Sequence, residues 1–269
     1  MRLRQLLLVV LLASVTAGSA LAASKEETRV HDATDVVDQL LRIPEQGVPT
    51  ALLSRAYAVA VIPRVIKVGF GLGARFGKGV MVVRQDDNTW SNPAFVKITG
   101  GSFGFQAGAQ STDIILVFKT RSSVDGISQG KLTLGADASI AAGPVGRSAG
   151  AHTDMTFKSE VYSYSRSRGL FAGVALEGAG VTMDRKANAA FYGSAQITPE
   201  QIFSSSGNAA PQAANNFVQV LTAQTQRLPM RPAAAASASA PRATQPQEQG
   251  RSEVRTYGMA NNPENQQRD

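Results

Sequence analysis

Between Val65 and Lys78 the chain alternates with a period of two. Ile66, Val68, Phe70, Leu72, Ala74 and Phe76 occupy one parity; Val65, Lys67, Gly69, Gly71, Gly73, Arg75 and Gly77 occupy the other. Successive residues of a strand point to opposite faces, so this segment reads as a strand with one apolar face and one glycine face flanked by cations. Glycine weakens a strand through lost chain entropy and absent packing. A strand that carries so many is either bent hard, as in a closed or nearly closed sheet, or approached closely by other backbone or by a ligand. The pattern recurs in residues 101–110, 131–143 and 169–180, which read as three further glycine-punctuated strands.

Helical spacing replaces this pattern at both ends. In residues 24–43, Val30, Ala33, Val37, Leu40 and Leu41 fall on one stripe, Ser24 can cap, and Pro44 stops the helix. Its polar face is acidic: Glu26, Glu27, Asp32, Asp35 and Asp38. A second short helix is expected from Pro49 to Ala56. Others are expected around Ser122–Gln129, at Pro199–Ser204 and over Pro211–Gln226, where Phe217, Val220 and Leu221 form a stripe. The expected fold class is α+β: a strongly curved, mostly antiparallel, glycine-rich sheet, barrel-like or a sandwich, with helices at the N- and C-terminal ends. Residues 1–22, with Arg2 and Arg4 before an apolar run and Ala20-Leu21-Ala22 after it, read as a signal peptide. N-terminal helices then occupy 24–56, a β-rich core 57–195, and C-terminal helices 196–227. Residues 228–269 have almost no large apolar side chains and read as a disordered tail.

Composition excludes much chemistry. The 269-residue chain has no Cys and two His, His31 and His152, so disulfides, zinc ribbons, iron–sulfur clusters and multi-His metal sites are ruled out. Gly126-Ile-Ser128-Gln-Gly130 matches the nucleophile-elbow letters, but a polar segment precedes it and a strand follows. Gly69-Phe-Gly71-Leu-Gly73 matches a dinucleotide turn only if it opens a helix, and it continues as a strand instead. The carboxylates are scattered; Asp137 and Glu177, on glycine-bearing faces, are the candidates for a buried polar contact. No catalysis, metal or cofactor is expected.

Charge is more informative. The net charge is +7, and no acidic residue lies between Glu45 and Asp86, a stretch that carries Arg55, Arg64, Lys67, Arg75, Lys78 and Arg84. Cations beside accessible backbone suit phosphate groups. Aromatics make up only 6%, with no stacking platform, so nucleic acid is not an expected partner.

Leu53 to Ser194 resembles the SYLF domain, a lipid-binding module. The likeness is carried by AVIPRVIKVGFGLGARFGKGVMVVR, WSNPAFVKITGGSFGFQAGAQSTDIILVF, KLTLGADASIAAGPVGRSA and YSYSRSRGLFAGVALEGAG, in the family's order. The resemblance implies binding of anionic phospholipid, with a phosphoinositide-like headgroup among the ligands. Eukaryotic members work with actin; a bacterial-type exported protein would not meet it, so no actin partner is expected. The reading is a non-enzymatic, periplasmic or secreted protein that binds an anionic phospholipid membrane surface, peripherally, through a basic strand surface. Arg64, Lys67, Arg75 and Lys78 are the leading headgroup contacts, followed by Lys97, Arg147, Arg166 and Arg168. The alternative is an envelope structural or protein-interaction module, or a surface antigen, with an envelope protein as partner.

Overall fold

The computed structural model describes residues 24–42, 47–144, 157–167, 170–205 and 210–225. Helix α1 spans Lys25–Arg42. Ser24 and Glu27 cap it reciprocally: the Ser24 N–H donates to the Glu27 carboxylate at 2.8 Å, and the Glu27 N–H donates to Ser24 Oγ at 3.0 Å. Val30, Ala33, Val36 and Val37 form its buried stripe. A short α2, Thr50–Ser54, follows. Two long strands come next, β1 (Ala58–Val83) and β2 (Ala94–Phe118), paired antiparallel. The remaining elements are α3 (Arg121–Gln129), β3 (Lys131–Thr133), β4 (Ile140–Ala142), β5 (Val161–Ser167), β6 (Leu170–Gly173), β7 (Gly180–Met183), α4 (Arg185–Tyr192), α5 (Pro199–Ser204) and α6 (Gln212–Thr225).

The sheet runs β3-β7-β2-β5-β4, with β1 also on β2 and β6 on β5. Among the described strands only the β4–β5 pairing is parallel. The fold is therefore α+β, a strongly curled, mostly antiparallel half-barrel with helices at both ends. Two expected strands are each split. Residues 131–143 turn at Gly135 (φ 86°), where Asp137 Oδ2 accepts the Thr133 N–H at 2.6 Å. Residues 169–180 turn at Gly178 (φ 76°). Helix α4 was not expected at all, although Asp184 caps it and Gly193 ends it in the left-handed conformation.

Two features of β1 decide where its side chains go. The first is a bulge. Pairing shifts between Ile62 and Val65, so Pro63 and Arg64 together face one partner residue, Asp113. Arg64 has φ 51°, and its N–H donates to Asp113 Oδ1 at 2.9 Å. One extra residue exchanges the two faces of a strand. Val59 and Val61 share an apolar cluster with Val80 and Val82, whereas Ala60 and Ile62 share the other with Val65 and Met81. Odd residues before the bulge thus match even residues after it. The first cluster is completed by α1, α2, α4 and α6, the second by α3, β3 and Ile202 of α5.

The second feature is that β1 crosses itself. A Cβ on Gly79 would lie 2.1 Å from the Val61 carbonyl oxygen and 2.6 Å from Ile62 Cα; one on Gly77 would lie 2.7 Å from Val65 Cγ2. Only glycine lets the two arms of one strand approach this closely. Gly79→Ala is expected to lose about 3 kcal/mol or more of stability in urea unfolding, because the obstructing atoms are backbone and cannot swing away. Gly101→Ala, which meets nothing within 4 Å, should change stability by less than about 0.5 kcal/mol.

Candidate functional site

The crossing brings Ile66 on one arm of β1 beside Phe76 on the other. Beyond the bulge both belong to the even parity, as do Lys78 and the buried Val80 and Val82 that face α1. Together with α1 they form a groove of about 720 Å³. Its floor is Pro63, Ile66, Phe76 and Ile98; Arg64, Lys78 and Lys97 line it from the sheet, and Lys25, Thr28, Arg29 and Asp32 of α1 make a wall. Ile66 is 38% and Phe76 47% exposed, so these two side chains face solvent, while Pro63 and Ile98 are buried.

Lys78 and Lys97 are cross-strand partners in register. Their ammonium groups share one buried carboxylate, Asp184, at 3.6 Å and 3.8 Å. Asp184 also accepts the Ala187 N–H at the start of α4, and its own N–H donates to the Phe95 carbonyl at 2.8 Å. Arg29 reaches the same neighbourhood from α1, its guanidinium 5.5 Å from the Phe95 ring centroid. Arg29 Nη1 is buried with no hydrogen-bond acceptor. Two lysines thus share one carboxylate while Arg29 lines the same groove, and Arg29 Nη1 and Asp184 Oδ2 are each buried without a hydrogen bond. Such a site favours an incoming anion, because Lys25, Arg29, Arg64, Lys78 and Lys97 outnumber Asp32 and Asp184 around it and a charge-assisted hydrogen bond is strong.

The residues expected to form one basic surface are divided. Lys67 and Arg75 belong to the odd parity and point to the opposite face from Lys78. Lys67 has no ion-pair partner among the described residues. Arg75 donates to the Ala175 carbonyl at 3.2 Å; burial lowers its pKa below the ordinary arginine value, and the Glu177 carboxylate raises it. Arg64 lines the groove and pairs with Asp32 of α1. Arg166 pairs with Asp113 through Nε and Nη2, both at 2.9 Å, and reaches Gln39 of α1. These last two contacts tie α1 to the sheet across the bulge, so Arg64 and Arg166 brace the fold. Arg84, from the same basic run, is buried over Trp90 at 4.6 Å and donates to the Leu53 carbonyl. Arg147 and Arg168 lie outside the described residues, as do the leader and the tail.

Sequence reasoning missed Lys25, Arg29 and Asp184. Lys25, Thr28, Arg29 and Asp32 sit at i, i+3, i+4 and i+7, a legible second stripe that the count of acids on α1 hid. Asp137 and Glu177, the carboxylates expected to be buried, are exposed at turns; the buried one is Asp184. Ser128 lies within α3 rather than on an elbow. Among the described residues no group of His, Cys, Asp or Glu could hold a metal ion, and no helix is long and apolar enough to cross a membrane.

The fold and groove define an α+β half-barrel with a basic, apolar-floored cleft beside its N-terminal helix. Residues 99–224 match the Ysc84 family, described as a Las17-binding protein actin regulator. Among curated relatives, protein YSC84 of Saccharomyces cerevisiae is 38% identical over 180 residues, 66% of this chain and 38% of that protein. LAS seventeen-binding protein 3 of the same yeast is 40% identical over 152 residues, 55% and 33% of the two chains. The human SH3 domain-containing YSC84-like protein 1 is 35% identical over 150 residues, 55% and 44% of the two chains. The chain spans less than half the length of these relatives. It belongs to the Ysc84/SYLF family.

This corrects one expectation. Excluding actin as a partner rested on a compartment inferred from residues 1–22, whereas the domain itself matches a family described as an actin regulator.

The brace generates a stability prediction. Arg166 is 18% exposed and Arg64 68% in their side chains. Arg166→Ala should cost roughly 2 kcal/mol, since it strands the half-buried Asp113. Arg64→Ala should cost under about 1 kcal/mol, as a solvated pair does. Equal losses in chemical denaturation would refute this division.

Proposed function

We propose that this protein binds anionic phospholipid at the groove, with Arg29, Lys78 and Lys97 receiving the headgroup and Lys25 at the rim. The observation that carries the reading is the convergence of these cations beside an exposed apolar floor. Asp184 offsets only part of their charge. Each cation near an anionic surface contributes on the order of 1 kcal/mol, so three or four give useful but salt-sensitive attachment. Lys67, on the other strand face, adds a weaker, separate contact. The protein acts by binding, without catalysis. Residues 1–22 support export as a further part of the proposal.

A second reading comes from the family description: contact with actin or its regulators. An actin-filament co-sedimentation assay addresses it directly, and pelleting that persists in Lys78→Glu/Lys97→Glu would place that contact off the groove.

The lipid reading predicts co-sedimentation with phosphatidylserine-containing vesicles and not with phosphatidylcholine alone. Binding should fall steeply between low and physiological salt, as the screening length shortens from about 30 Å to about 8 Å. Lys78→Glu/Lys97→Glu should reduce it at least tenfold. Equal binding to both vesicle types would refute the proposal.

A further inference from the structure

We infer that the groove holds the hydrocarbon chain of one anionic amphiphile, its head against Arg29, Lys78 and Lys97 and its chain along Phe76 and Ile66. The inference rests on the groove being an anionic-lipid site and adds that the ligand is a monomer seated chain-in, rather than a bilayer surface touched from outside.

Three observations carry it. First, Lys78 and Lys97 are cross-strand partners, and apolar side chains follow Lys78 on the same face of β1. Phe76 is two residues from Lys78 on the same face, about 7 Å along a strand, and the crossing at Gly79 sets Ile66 beside it. A head at the lysines therefore points its chain down the floor. Second, the volume of about 720 Å³ lies within the range of roughly 300–1,000 Å³ typical of sites that enclose a small molecule. A lone phosphate would occupy little of it and leave Phe76 and Ile66 wet. Third, Arg29 lines the groove and its Nη1 is buried without an acceptor, which a head oxygen reaching it would supply.

The test uses the full chain and a ladder of saturated fatty acids from octanoate to myristate, each below its micelle concentration, with the corresponding alcohols as neutral probes. Calorimetry reads stoichiometry and affinity. One site per chain is expected. A fully buried methylene adds about fourfold to affinity; in this partly open groove each added methylene should give two- to fourfold, levelling off once the floor is covered. The alcohols should bind at least tenfold more weakly. Lys78→Ala/Lys97→Ala should lower every acid by a similar factor and keep the slope. Phe76→Ser should flatten the slope.

An affinity independent of chain length in the wild-type protein overturns the inference, and that reading needs no variant to fold. So does a slope unchanged in Phe76→Ser. Vesicle binding separates the two levels: anionic vesicles bound with a flat ladder would refute chain insertion and leave the headgroup reading standing. Absence of both would refute both.

Discussion

Gly79 lies against the Val61 carbonyl because β1 folds back over its own first half, and the groove exists only because of that contact. A straight strand would set Ile66 and Phe76 about 33 Å apart. Crossing instead sets both in the lining of one groove. The glycines cost chain entropy. That cost is offset on both sides of the crossing, where Val59, Val61, Val80 and Val82 pack towards the helices and Ile62, Val65 and Met81 pack the other way. The arrangement resists single-residue change, since a side chain at Gly79 would collide with backbone on the arm beneath.

The bulge at Pro63 and Arg64 determines what that geometry presents. Without the extra residue, Lys78 and the apolar side chains of β1 beyond it would exchange faces with Lys67 and Arg75, and Lys78 would no longer face Lys97 of β2. Asp113 holds the bulge through the Arg64 N–H and is held in turn by Arg166. Electrostatics then divides the cations by role. Arg64 and Arg166 each have a carboxylate of their own and serve to attach α1. Lys78 and Lys97 share one, which keeps them close without cancelling their charge.

How much of this was legible in the sequence follows from the range of each interaction. Local signals were readable: the stripe and cap of α1, Pro199 opening α5, the strand alternation, and glycine as a mark of close approach. The face that each cation occupies was not, because it depends on one bulge. Pro63 inside a strand pattern is a recognisable bulge signal, and reading it would have shown which parity turns towards α1; the separation of Lys67 and Arg75 from Lys78 is odd against even and needed only that the strand run on past Gly77. Helix α4 was hidden inside a stretch dominated by strands, although the Asp184 cap and Gly193 flank it in the usual way. Which carboxylate meets which cation depends on contacts between residues about 30 to 100 apart in the chain, and spacing carries no such information.

The family match and the groove overlap only in part, and this bears on how far either explains the other. Residues 99–224 take in Asp113, Arg166 and Asp184, the groups that brace the bulge and lie beneath the lysines. They leave out Arg29, Phe76, Lys78 and Lys97. The supporting carboxylates thus fall within the matched segment, while the groups that would touch a ligand come from α1 and the β1–β2 hairpin ahead of it. A flat surface cannot meet both faces of one strand, so Lys67 and Arg75 cannot join Lys78 and Lys97 on a single plane. A concave site satisfies the buried Arg29 donor and covers the exposed Phe76 together. It is the physical reason to prefer a seated ligand over attachment by a dispersed positive charge.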